Sequence, residues 1–247
     1  MPYVKVTYIA GNTVEVHKHF TARYGKKCLR GMALNPTPES QLAVNLRHAE
    51  AKLRRLINTN FGVGDWHLVL GYNRKYLHTP EEAKADKEKF LRAYRAWCKK
   101  EGTEPRYITV TEYLNKRIHH HLVIGSIPLK VLYEMWPWGR PHITPLDSSG
   151  NYAQLASYLI KETDKTFREK GATQRKRWTQ SKGLAKPTEI REVIPADGWS
   201  KNPKAIKGYY LQKDSLHSGV HEVSGFAWQS YIMVKLAPKA KAVRKRE

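Results

Sequence analysis

The sequence predicts an α+β protein: a ferredoxin-like (RRM-like) antiparallel sheet with helices on one face, preceded by a β-hairpin and helix and followed by a β-rich extension. Three observations carry this. From residue 66 the pattern runs strand, helix, strand, strand, helix, strand, and then a further helix. Residues 3 to 18 alternate around AGNT, and beyond residue 170 three strand-like stretches end in WQSYIMVKL.

Each element has a local cause. Gly11-Asn12 suits a tight turn, so the alternating residues on either side form a hairpin. The stretch TARYGKKCLRGMALNPTPE lacks periodicity and reads as a basic loop. Thr37-Pro38-Glu39 starts a helix with Thr37 as N-cap, and Leu42, Leu46, Ala49, Leu53, Leu56 and Ile57 recur at helical spacing. That leaves Arg47, Lys52, Arg54 and Arg55 on the outward side. WHLVLGY is a strand by composition, and Thr79-Pro80-Glu81-Glu82 opens a second helix with a capping box. RYITVTEYL and RIHHHLVIG form a hairpin, IPLKVLYEMW a short helix, PHITPL a strand, and residues 151 to 164 a helix containing YAQLASYLIKE. The expected organisation is a hairpin and basic helix over 1–60 packed on the core, the core itself over 61–170, a basic loop and strands over 171–236, and a basic, disordered tail over 237–247.

Composition narrows the partner. Lysine and arginine number 44 against 22 acidic residues, a formal charge of +22 over 247 residues, which favours a polyanion. No run of about 18 apolar residues is present and the opening lacks a secretory pattern, so a nucleic acid is favoured over a membrane and a cytoplasmic location is expected. Cys28 and Cys98 are too few for a disulfide scaffold and are expected to be reduced.

The densest chemistry lies in HHHLVI. Side chains at i and i+2 share a strand face, so His119 and His121 point together while His120 points the other way with Leu122 and Ile124. A two-residue loop at Asn115-Lys116, or a four-residue loop over 114–117, sets Glu112 opposite His119. Two imidazoles and a carboxylate suit a divalent ion acting on a phosphodiester, with Mg2+ and Mn2+ both compatible. A half-buried, locally hydrogen-bonded histidine surface is the alternative.

A nucleophile is sought next. At about 100° per residue Tyr158 and Lys161 share a helix face, whereas Tyr152 lies about 240° from Tyr158. A phenol of pKa near 10 is a weak nucleophile, so attack on phosphate needs electrostatic help from a cation. A lysine one turn away can hold the phosphate. By itself Tyr-x-x-Lys is a common accident, and its bland reading is packing beside Leu155 and Leu159.

The conjunction of His119-His120-His121 in an apolar strand, Glu112 on its hairpin partner and Tyr158-Leu-Ile-Lys161 on a later helix resembles the HUH endonucleases, in particular rolling-circle replication initiators. WHLVLGY resembles the family's first motif strand, with Gly71 where threonine is usual, and WPWGRPHITPLD, YLIKETDKTFREKG and KGYYLQKDSL resemble phage- and plasmid-type proteins related to the filamentous-phage gene II protein. The resemblance implies an HUH nuclease core in which Glu112, His119 and His121 bind the metal and Tyr158, assisted by Lys161, nicks single-stranded or hairpin origin DNA through a 5′-phosphotyrosine. Gln154 stands four residues before Tyr158, which implies a single-tyrosine enzyme. No G-x-x-x-x-G-K-[ST] loop is present, so a host helicase, with host DNA polymerase, is expected to act beside it in a bacterial cytoplasm.

Arg175, Lys176, Arg177, Trp178 and Lys182 are DNA-facing candidates: cations meet phosphates while an indole stacks on a base, for about 1–3 kcal/mol per stacked base. A solvated basic loop with Trp178 anchored in the core is the competing reading. Alternatives for the whole chain are a single-tyrosine transposase or relaxase, or a nucleic-acid-binding protein without turnover.

Overall fold

The computed structural model describes residues 2–22, 24–25, 39–76, 78–113, 117–168, 176–196, 198–222 and 224–237. The chain divides into two compact units, one formed by 1–32 with 188–247 and the other by 33–187. The architecture is α+β, and the strand pairings in both sheets are antiparallel.

In the first unit, strands β1 (Tyr3–Ala10) and β2 (Thr13–Phe20) form the expected hairpin. Gly11 adopts φ 56°, a left-handed conformation that its missing Cβ permits at the turn. β1 also pairs with β8 (Thr188–Ile194), and β2 with β11 (Ala227–Lys235). β10 (His217–Val220) and β9 (Tyr209–Leu211) both pair with β11. Val14, Val16, Tyr231 and Met233 form an apolar cluster on one face of this sheet.

The second unit holds helices α1 (Glu39–Asn60), α2 (Pro80–Lys100), α3 (Leu129–Met135) and α4 (Ala153–Arg168). Its sheet comprises β3 (Trp66–Gly71), β4 (Tyr107–Glu112), β5 (His119–Ile124), β6 (His142–Pro145) and β7 (Thr179–Gln180), in the order β6-β3-β5-β4-β7. The start of α1 expected at Thr37-Pro38 lies outside the described residues, as do the hairpin tip at 114–116 and the tail from 238. The capping box of α2 forms as its sequence predicts. Thr79 Oγ1 accepts from the Glu82 N–H at 3.2 Å, and Glu82 accepts from the Thr79 N–H at 2.8 Å.

Pleat alternation gives this sheet two dry faces. Leu68, Leu70, Tyr107, Leu122 and Ile124 pack with Phe90, Leu91 and Tyr94 of α2, and with Leu132 of α3 and Trp136. Ile108, Val110 and Val123 point the other way, onto Leu53, Leu56 and Ile57 of α1 and Ala156, Leu159 and Ile160 of α4. The expectation of helices on one face therefore holds for α2 and α3 only; α1 and α4 cover the opposite face. The reason is visible in β4 and β5, where nearly every residue is buried, as a strand covered on both sides requires.

Two joints fix the site-bearing segments. Asn58 of α1 accepts the Tyr152 N–H at 3.0 Å, tying down the start of α4, and the Tyr152 hydroxyl donates to the Asp147 carbonyl at 2.9 Å. At the end of β3, the Trp136 indole N–H donates to the Gly71 carbonyl at 2.9 Å and the Asn73 N–H to the Trp138 carbonyl at 2.8 Å. This draws Gly139 so close that a Cβ there would lie 2.2 Å from the Gly71 oxygen. Gly139→Ala is therefore expected to destabilise the protein by about 1–3 kcal/mol, the usual range for forced overpacking. A urea midpoint unchanged from wild type would contradict that packing.

Candidate metal centre

The β4–β5 register sets Glu112 opposite His119 and Val110 opposite His121, so Glu112, His119 and His121 stand on the face that α4 covers. His120 goes to the other side. It is fully buried, where its Nδ1 lies 2.9 Å from Thr111 Oγ1 and its Nε2 3.2 Å from the Tyr72 hydroxyl. Lys87 donates to the same Thr111 hydroxyl at 3.1 Å, and Tyr72 donates to the Ala83 carbonyl at 3.4 Å. A neutral His120 with its proton on Nε2 completes this chain of donors, and burial, with Lys87 adding to it, holds the imidazole well below its usual pKa. The middle histidine is thus a satisfied core residue.

The two outer imidazoles are arranged differently. His119 Nε2 lies 2.9 Å and His121 Nε2 3.9 Å from the same Glu112 carboxylate oxygen. One potential ligand atom from each of the three residues lies within 4.8 Å of the others. His119 Nδ1 faces the Arg117 carbonyl at 2.8 Å, so the Nε2 lone pairs converge while a ring N–H is held elsewhere. Two imidazole nitrogens and a carboxylate, Glu112 and His121 being buried, fit a divalent cation.

Tyr158 of α4 meets this cluster. Its ring centroid lies 5.3 Å from that of His121, edge to face, while the residue keeps 41% of its surface exposed. Burial, then the carboxylates of Glu162 and Glu112, raise the phenol's pKa above its ordinary value. Tyr152 is buried and engaged at the start of the helix, as the angular separation predicts. Lys161, one turn beyond Tyr158, is exposed.

The basic segment divides. Arg175 lies outside the described residues; Lys176 and Lys182 are exposed; Arg177 is ion-paired with Asp164 of α4. Trp178 is partly buried against the α1–α4 core, with its indole N–H donating to Gln180 at 3.2 Å.

Sequence reading missed His67 of β3. Its Nε2 lies 3.3 Å from His121 Nδ1, the two rings meet edge to edge with centroids 5.5 Å apart and 16° between planes, and Tyr158 packs against it at 6.2 Å. Burial, with a smaller contribution from His142, lowers its pKa to about 4. The only signal was parity: His67 alternates with Leu68 and Leu70 and so faces the side opposite theirs, but which strand adjoins β3 is not written locally.

The fold and site define an α+β protein whose antiparallel sheet presents a Glu-His-His cluster able to hold a divalent ion beside a tyrosine. Residues 65–167, which contain all of these groups, match the model of the Replication-associated protein ORF2/G2P family. Over that segment the chain is similar to this replication-associated family, in agreement with the resemblance to rolling-circle proteins related to gene II protein. No curated protein and no solved structure gives a significant match to the chain. Among the described residues, no helix is long and apolar enough to cross a membrane.

The buried neutral histidines give a pH signature. Because the folded-state pKa of His67 lies near 4, below its unfolded value of 6.5, the unfolded chain binds the proton first. The contribution of His67 to stability is therefore full above about pH 6.5 and is lost as pH drops toward 4. In chelator, His67→Gln is expected to lose less urea stability than wild type between pH 7.5 and 4.5, and parallel pH profiles would contradict this assignment.

Proposed function

We propose that this protein is an HUH-type endonuclease with a ferredoxin-like core that nicks and rejoins single-stranded or hairpin origin DNA to initiate rolling-circle replication. The strand order β6-β3-β5-β4, with α2 and α3 as the crossovers, supports the core assignment. The observation that carries the reading is the Tyr158 ring against His121, beside the Glu112–His119–His121 cluster and within the segment that matches a replication family.

Glu112, His119 and His121 would hold the ion, Mg2+ or Mn2+. When bound, such a cation polarises the scissile phosphate and offsets charge developing on it. The Tyr158 oxygen attacks phosphorus and gives up its proton; the new bond is O–P, the broken bond is P–O3′, and the departing 3′ oxygen takes up a proton. The products are a 5′-phosphotyrosine and a 3′-hydroxyl able to prime synthesis. Reversal by a 3′-hydroxyl rejoins the strand without ATP.

The raised pKa of Tyr158 keeps the phenol protonated, so its attack depends on the charge that a bound cation would supply. Lys161 is positioned by sequence spacing to hold a phosphate oxygen. Lys176, Arg177, Trp178 and Lys182, with Arg175, are the proposed contacts to the flanking strand, and unwinding and synthesis fall to a host helicase and polymerase in the cytoplasm.

The test is covalent capture. Wild-type protein incubated with labelled single-stranded origin oligonucleotide and Mn2+ should give an SDS-resistant adduct, and Tyr158→Phe should lower its yield on the order of 10³-fold or more. Glu112→Ala should suppress cleavage while leaving salt-sensitive DNA binding largely intact. Absence of an adduct across a broad oligonucleotide set, with binding retained, would show a binding protein instead.

A further inference from the structure

His119 and His121 share one design on their inner side, each turning Nε2 toward Glu112. Their outer nitrogens differ. His119 Nδ1 faces the Arg117 backbone carbonyl, whereas His121 Nδ1 faces a side chain, His67 Nε2, 3.3 Å away on the neighbouring strand. The β3–β5 register pairs Val69 with His121, so His67 is the diagonal neighbour of His121 on the same face.

A neutral imidazole has one donor and one acceptor nitrogen. If the His121 Nε2 lone pair serves a cation, Nδ1 carries the proton and its partner must accept. We propose that His67 is the positioning residue of the metal centre: its Nε2 accepts the His121 Nδ1–H, fixing the tautomer and ring plane of that ligand, and its ring packs against Tyr158. This rests on the metal reading above. The two ring planes lie within 16° of each other with centroids 5.5 Å apart, the arrangement an in-plane N–H···N bond requires, and that bond restricts rotation of the ligand ring. Tyr158 lies edge-on to both rings at 6.2 and 5.3 Å, so one residue sets the spacing of ligand and phenol together.

A glutamine at position 67 places an amide oxygen near the Nε2 position and can still accept; an alanine cannot. In metal-free, 15N-labelled wild type, long-range 1H–15N spectra should show His121 protonated on Nδ1, and His67→Ala should shift it toward a mixture of tautomers. By titration calorimetry with Mn2+ alone, His67→Ala should bind about 10–100-fold more weakly than wild type, the usual cost of losing such a partner, and His67→Gln should bind within a few-fold of it. An unchanged Mn2+ affinity and tautomer in His67→Ala would overturn the inference while leaving the metal site intact. Equal loss of Mn2+ in both variants would also overturn it, by making His67 a ligand. A wild-type protein that takes up no Mn2+ would remove the metal reading itself, and this inference with it.

Discussion

The alternation of side chains along β5 is the constraint on which the rest of this site depends. Leu122 and Ile124 must face α2, and Val123 must face α1 and α4, because both sides of the strand are dry. A slip of one residue would exchange every one of these faces at once, at the cost of several buried aliphatic groups, each contributing about 1.5–3 kcal/mol. The histidines inherit this register. His119 and His121 are carried to the α4 face by their aliphatic neighbours, and the same packing commits His120 to the core, where Thr111 and Tyr72 satisfy it. Glu112 is aligned by the same ladder that pairs Val110 with His121.

The electrostatics follow from that placement. Neutral imidazoles are what a buried sheet tolerates and also what a metal donor set requires, since a protonated ring has no lone pair to offer. Burial on both faces therefore serves structure and chemistry with one effect. Tyr158 is held differently: it sits at the edge, partly in solvent, near two carboxylates that disfavour its ionised form. The positive field of the whole chain supplies attraction for a polyanion at long range, while the local field at the phenol is negative.

What was legible in the sequence was whatever is set over short distances. Strand parity separates His119 and His121 from His120, the Thr79-Pro80-Glu81-Glu82 signal gives a capping box with the expected hydrogen bonds, and helical angle separates Tyr158 from Tyr152. The Gly11-Asn12 turn is equally local. What was hidden depends on distant partners. Nothing in residues 3–20 states that β1 will pair with β8 and β2 with β11, since edge pairing is decided by chain segments more than 150 residues away. The second layer of helices was hidden for the same reason, because an apolar stripe on α1 or α4 reports that a face is buried and not which side of the sheet buries it. His67 sits in a strand read by composition, and its meaning emerges only once β3 lies beside β5.

The helix that carries Tyr158 is fastened at its root and packed on the core along its inner face. Asn58 and Asp147 grip Tyr152, Leu159 and Ile160 are sunk in the core, and the phenol stands about one and a half turns from the grip. A DNA end joined to that oxygen would pull on a short, stiff lever. In the proposed reaction, tension in the strand would pass into the aliphatic layer between α1, α4 and the sheet.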